Sequence, residues 1–312
     1  MKLGAPAAGL HARPPAGTNA SVTAETDRRL ADFVTLTKPR LNLLVLLTTL
    51  AGLYLASPQG VEFTLLLNTL VGTALVAGGA AALNQVWEYR TDALMRRTRV
   101  RPLPAGRLGV AEGTWFGVLL SVVGLGQLAI GVNLTAAAVA GATLVSYVLV
   151  YTPLKPLTSL ATLVGAIPGA LPPVIGWSAA TGRITLPALV LFGISFLWQM
   201  PHFLAIAWLF RDDYANAGIP LLPVLEPDGR RTGQQALIYT AALWPVSLLP
   251  AVVGLAGIPY AIVATVLGLL FVWLALRFAR DRSMSNARAL FLFSITYLPL
   301  LLAALVADRL WI

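Results

Sequence analysis

The chain has 312 residues, 57% of them hydrophobic and only 11% charged, with a mean hydropathy of +0.78. Soluble domains carry about 25% charged residues, so the composition excludes a soluble globular protein and fits a polytopic helical membrane protein. Disulfides, thiolate metal ligands and c-type haem attachment are excluded by the absence of cysteine.

Residues 1–27 are rich in Ala, Pro and Gly and lack the apolar core of a signal peptide. They are expected to form a disordered cytoplasmic tail. A spanning helix needs about 20 mostly apolar residues. Nine such spans are expected, at about 41–57, 63–86, 114–131, 134–153, 160–181, 185–208, 236–255, 258–276 and 289–307. The predicted fold is all-α, a single membrane domain over 28–312 with a central cavity open toward the cytoplasmic face.

The net charge of +9 is one of topology, not of nucleic-acid binding. With these spans, 20 of the 22 Lys and Arg residues fall on one side of the membrane, leaving only Arg183 and Arg309 on the other. The positive-inside rule then puts the N-terminus in the cytoplasm and the C-terminus across the membrane. The cytoplasmic connections 87–113 and 209–235 are long and carry most of the acidic residues outside the tail.

Polar chemistry concentrates in the first of these connections. Asn84, Glu88 and Asp92 are spaced i, i+4, i+8, which makes one stripe about 12 Å long on the extension of the second span. An amide and two carboxylates are an all-oxygen set, suited to Mg²⁺. Arg96, Arg97, Arg99 and Arg101 follow, with guanidinium forks suited to phosphate oxygens. Metal carboxylates beside anion-binding arginines are the layout of a diphosphate site. The same residues also fit a solvated helix end with i, i+4 ion pairs and topology-setting arginines. The stiff PLPAG turn at 102–106 weighs toward a built site.

The N-x3-E-x3-D spacing followed by RRTRVRPLPAGR resembles the first motif of the UbiA superfamily of intramembrane prenyltransferases, with Glu88 where an aspartate is usual. YTPLK at 151–155 resembles that family's Y-x3-K motif. FLWQMPHFLAIAWLFRDDYANAGIPLLPV at 196–224 and VGAIPGALPPVIGWSAATG at 164–182 resemble its haem-farnesylating branch. The resemblance covers about 30–307. It implies a Mg²⁺-dependent transferase that ionises farnesyl diphosphate and passes the farnesyl group to a vinyl of haem B, with water addition. Asn84, Glu88 and Asp92 would hold Mg²⁺, while Arg96, Arg97, Arg101 and Lys155 would neutralise the diphosphate. Arg211, Asp212 and Asp213 stand where relatives carry a second metal motif, but Ala217 replaces its second carboxylate. The resemblance also implies the cytoplasmic membrane as location. Further implied partners are a haem O-processing enzyme or terminal oxidase assembly factors. A quinone precursor or chlorophyllide as acceptor, and a transporter, are the competing readings.

An allylic cation needs a lining that stabilises it, and aromatic faces do so. Tyr151 and Trp198 are the strongest candidates, beside Tyr147, Phe196, Phe203 and Trp208. His202 lies in an otherwise apolar span, where ionisable groups are costly and functional. For a haem acceptor it would ligate iron or hydrogen-bond near the porphyrin. Gln199 and Asn68 read as interhelical hydrogen bonders. The Gly and Pro residues of 165–176 make span five irregular, the pattern of a cavity wall.

Overall fold

The computed structural model describes residues 18–309, so residues 1–17 of the expected tail lie outside the described residues. Helix α1 (Thr18–Leu36) already takes in residues 18–27. The ion pairs Arg29–Glu112 and Arg107–Asp32 fasten it, as does a 2.7 Å bond from Gln85 Nε2 to the Leu36 carbonyl. Composition reads 18–27 as tail because the partners that fasten the rest of α1, at Arg29, Asp32 and Leu36, lie some 50–80 residues away.

Helices α2 (Pro39–Leu55), α3 (Phe63–Asp92), α4 (Val110–Gly131) and α5 (Leu134–Val145) follow. A π-helical turn (Ser146–Tyr151) joins α5 to the single turn α6 (Thr152–Leu154). One broken crossing is made by α7 (Ala161–Ala170) and α8 (Pro172–Thr181), and α9 (Leu186–Leu209) crosses back. The short α10 (Arg211–Asn216) and α11 (Leu222–Leu225) lead to α12 (Arg230–Val252), α13 (Ile258–Arg280) and α14 (Met284–Arg309).

Among the described residues, eight helical stretches are long and apolar enough to cross a membrane, and Pro39–Leu55 is a shorter apolar ninth. These match the nine expected spans. Outward-facing side chains such as Trp115, Ile130 and Val252 are largely exposed, an apolar belt suited to lipid. The protein is integral to the membrane.

Helices pack through small residues, as expected where lipid removes the usual hydrophobic drive. Gly79 of α3 meets Gly117 of α4, and Gly72 meets Gly124. A Cβ at Gly79 would stand 2.6 Å from the Gly117 carbonyl oxygen, and one at Gly124 would stand 2.8 Å from that of Gly72. The crossing of α2 and α8 is tighter still. Cβ atoms at Gly52 and Gly176 would fall 2.1 Å from the Pro173 oxygen and 1.9 Å from the Thr49 oxygen. Span five breaks at Leu171, ahead of Pro172 and Pro173.

Gly176→Ala is therefore expected to push two backbones apart. Overpacking of this kind costs about 1–3 kcal/mol, read as a lower unfolding midpoint of the detergent-purified protein. Gly126→Ala meets nothing within 4 Å and should leave the midpoint unchanged or slightly raised.

Candidate active site

Helix α3 runs unbroken to Asp92, so Asn84, Glu88 and Asp92 do share one face, and all three are buried. Each is met by a cation from a different part of the chain. Lys38 Nζ donates to Asn84 Oδ1 at 2.9 Å. Lys155 Nζ lies 3.1 and 3.2 Å from the two Glu88 carboxylate oxygens. Arg101 donates to Asp92 Oδ2 at 2.6 Å. Three cations against two carboxylates leave one positive charge over. The Asn84 amide nitrogen donates in turn to Thr152 Oγ1 at 3.1 Å, tying the stripe to α6.

One oxygen of the stripe has no partner. Asp92 Oδ1 is buried and accepts no hydrogen bond among the described residues. A buried carboxylate oxygen left unpaired is costly, and it fits a place for a bound cation. The donor chemistry, all oxygen, suits Mg²⁺ completed by water and phosphate. Among the described residues no group of three His, Asp or Glu forms a metal site unaided. Asn84 and substrate oxygens are needed to complete the shell.

Sequence reasoning missed Lys38, which it counted only as topological charge. Its backbone is left-handed (φ 49°, ψ 59°), immediately before Pro39 at the start of α2. That conformation costs a non-glycine residue roughly 1–2 kcal/mol, and a following proline disfavours helical geometry further. The fold holds this strain while the ammonium points to Asn84. Withdrawal from water lowers the pKa of Lys38 to about 8, with Arg101 and Lys155 adding to the fall and Glu88 and Asp92 opposing it. No local signal distinguishes it from the other lysines and arginines of the N-terminal segment.

Lys38 and Lys155, two of the cations that meet the stripe, line a cavity with two branches that share Leu41, Val45, Tyr147, Gly165, Gln199 and Phe203. The narrower branch, about 190 Å³, has Lys38 at its mouth and Thr73, Val76, Ala77 and Ala80 of α3 on its wall. The wider, about 350 Å³, reaches from Lys155 and Tyr151 to Trp198 and His202. The π-helical turn sets the aromatic entrance. It stacks Tyr147 on Tyr151 with ring centroids 5.4 Å apart, and Thr152 Oγ1 donates to the Tyr147 carbonyl at 2.8 Å. Gly165 makes room for the Tyr151 ring, whose nearest atoms would be 2.6 Å from a Cβ there. Deeper in, Trp198 and His202 stack at 5.5 Å, with Phe203 and Phe291 against the imidazole.

Other candidates lie elsewhere. Arg96 is exposed, and Arg97 turns to α10, where it covers the Phe210 ring and donates to Tyr214 Oη at 3.4 Å. Arg211 covers Trp208 and donates to its carbonyl, closing the end of α9. Trp208 itself donates to the Arg282 carbonyl, and Phe196 stacks on Phe192, so both serve packing. The Asp212 side chain is 92% exposed, 4.0 Å from Arg211. Asp213 is half-buried, and it is Tyr214, unmarked in the sequence, that lines the wider branch.

This fold and site define a membrane enzyme for substrates with an anionic head and an apolar body. Residues 45–297 match the UbiA prenyltransferase family, and the chain belongs to it. The protein is a prenyltransferase. It is similar to the protoheme IX farnesyltransferase of Solibacter usitatus, 46% identical across 90% of this chain and 99% of that protein. The protoheme IX farnesyltransferase of Opitutus terrae is 45% identical across 94% and 99%. Among solved structures, the UbiA homolog of Aeropyrum pernix K1 superposes with a TM-score of 0.69 at 18% identity, covering 86% of this chain and 97% of that one. A UbiA homolog from Archaeoglobus fulgidus bound to GPP and Mg²⁺ gives 0.60 at 14% identity, covering 88% and 99%. At those identities the likeness concerns the fold.

Lys38→Gly separates the two roles of that position. Glycine adopts the left-handed backbone freely, which offsets the lost hydrogen bond of about 1 kcal/mol. The unfolding midpoint should hold while affinity for a prenyl diphosphate falls at least tenfold, measured by binding to purified protein.

Proposed function

We propose that this prenyltransferase transfers the farnesyl group of farnesyl diphosphate to a vinyl group of haem B, adding water to give a hydroxyethylfarnesyl haem, haem O. The observation that carries the reading is the convergence of Lys38, Arg101 and Lys155 on the α3 stripe at the mouth of an aromatic cavity. Extended similarity to protoheme IX farnesyltransferases over nearly their whole length supports the acceptor. The region from 28 onward acts as one catalytic domain in the cytoplasmic membrane. Its basic end faces the cytoplasm, which leaves the C-terminus outside, and haem O passes to a haem-processing enzyme or oxidase assembly factor.

In this reading Asn84, Glu88 and Asp92 would hold Mg²⁺, with Asp213 as a more remote contributor. When bound, the ion would supply Lewis acidity toward the diphosphate. Lys38, Arg101 and Lys155 exchange their carboxylate and amide partners for diphosphate oxygens. As the C–O bond of the substrate breaks, charge grows on the leaving group, and these fixed cations stabilise it. The stacked faces of Tyr147 and Tyr151 stabilise the allylic cation beside them. The farnesyl chain follows the apolar wall of α3. The flat acceptor rests against Trp198, His202 and Phe203, and a vinyl carbon attacks the allylic carbon.

The test is to incubate the purified protein with haem B, farnesyl diphosphate and Mg²⁺ and to look for the hydroxyethylfarnesyl adduct by mass. Asp92→Ala should abolish the adduct and diphosphate release while leaving membrane insertion intact. Near-normal turnover at ordinary Mg²⁺ would sink the metal assignment. A quinone precursor accepted in place of haem B would overturn the acceptor.

Arg101→Lys tests the anion clamp. Lysine keeps the charge but loses the planar fork, and a charge-assisted hydrogen bond contributes about 1.5–3 kcal/mol. A fall of roughly tenfold to a hundredfold in kcat/KM for the prenyl diphosphate is expected, with topology unchanged. Arg280→Lys, at an exposed position ending α13, is the silent control. If both are silent, the arginine at 101 serves topology alone.

A further inference from the structure

Helix α9 carries a second polar face, and two of its members, Ser195 and Gln199, have no part in the transfer step. Ser195, Gln199 and His202 fall at i, i+4 and i+7, and all three line the wider branch of the cavity. Gln199 donates its two amide protons to the Ala166 and Ser195 carbonyls, at 3.2 and 2.9 Å. Neither carbonyl can donate, so the orientation of the amide is fixed. Its Oε1 accepts no hydrogen bond among the described residues. Gly169 leaves the space that this oxygen occupies, since a Cβ there would lie 2.0 Å from it.

The imidazole one turn on is fixed in the same way. Ser294 Oγ donates its only proton to the Phe291 carbonyl at 2.6 Å. It can therefore only accept from His202 Nδ1, which lies 2.7 Å away. With the proton on Nδ1, the lone pair sits on Nε2. Two acceptors without donors thus share one helix face in an otherwise largely apolar branch. Water, with two O–H donors, has the hydrogen-bonding complement of such a pair.

We infer that Gln199 Oε1 and His202 Nε2 hold the water that ends the reaction, which makes Gln199 a water-positioning residue. The inference rests on the haem reading above. After the vinyl carbon bonds to the farnesyl carbon, the positive charge lies on the carbon attached to the pyrrole. The water directs its two protons to Gln199 and His202 and turns a lone pair to that carbon. The new C–O bond forms, one O–H bond breaks, and the proton passes to His202 Nε2. A protonated alcohol is a strong acid, so a neutral imidazole suffices. No oxidant or reductant enters. Without a held water, the same cation sheds a proton from the adjacent carbon and leaves an alkene.

The experiment reads the ratio of two haem adducts by mass, one hydroxylated and one lighter by a water. Purified wild-type protein with haem B, farnesyl diphosphate and Mg²⁺ should give the hydroxylated adduct. Gln199→Met, which keeps length and loses the acceptor, should shift the ratio at least tenfold toward the lighter adduct. Gln199→Glu, which keeps an acceptor oxygen, should restore the hydroxylated one. His202→Phe provides a second variant with the ring shape preserved and should shift the ratio as Gln199→Met does. A wild-type ratio in either Gln199→Met or His202→Phe overturns the inference. So does a Gln199→Met protein that binds both substrates yet forms no adduct, since Gln199 would then serve the transfer step. Failure of the wild-type protein to form any haem adduct refutes the haem reading instead, before any variant is compared.

Discussion

Two carboxylates buried at the end of a membrane helix need counter-charge, and most of this structure follows from that constraint. A buried ionised group without a partner is far costlier than a helix can tolerate. Glu88 and Asp92 are therefore matched by Lys155 and Arg101, and the neighbouring Asn84 by Lys38. These cations come from the α1–α2 junction, the α3–α4 connection and the end of α6. Satisfying the stripe thus draws three separate segments to one end of the bundle. The same contacts leave a surplus positive charge and one unpaired oxygen, the conditions for taking up a metal with an anion.

The close approach of helices does the rest. Glycines facing glycines let α3 and α4 touch backbone to backbone, and Gly52 and Gly176 bring α2 against α8. Because α8 is pinned there, the break at Leu171 swings α7 toward α9, where Gly165 and Gly169 receive Tyr151 and Gln199. The cavity is the space left between these fixed contacts. Its mouth is charged and its interior mostly apolar and aromatic, the gradient that an amphiphilic diphosphate follows.

Much of this was legible in the sequence because it is periodic or local. Apolar runs of spanning length mark the nine crossings, and the i, i+4, i+8 spacing places Asn84, Glu88 and Asp92 on one face whatever the surroundings. The RDDYANAG segment was harder. Its carboxylates draw the eye, yet Asp212 faces outward and Tyr214 turns in, because the short α10 is oriented by its packing and not by its composition. Arg96 and Arg101 look alike in the sequence, and only the path of the loop makes one exposed and the other a partner of Asp92.

The sequence by itself determined the membrane class, the number of crossings and the polar stripe of Asn84, Glu88 and Asp92, since a helix fixes the relation of residues within it. Only the tertiary structure decided which cations face the stripe. It also decided that Lys38 belongs to the site and that Gln199 and His202 present free lone pairs to the cavity. The contacts of Lys38, Gln199 and His202 join segments 30 to more than 90 residues apart. No local pattern encodes such contacts, because the chain meets them only when its helices have packed.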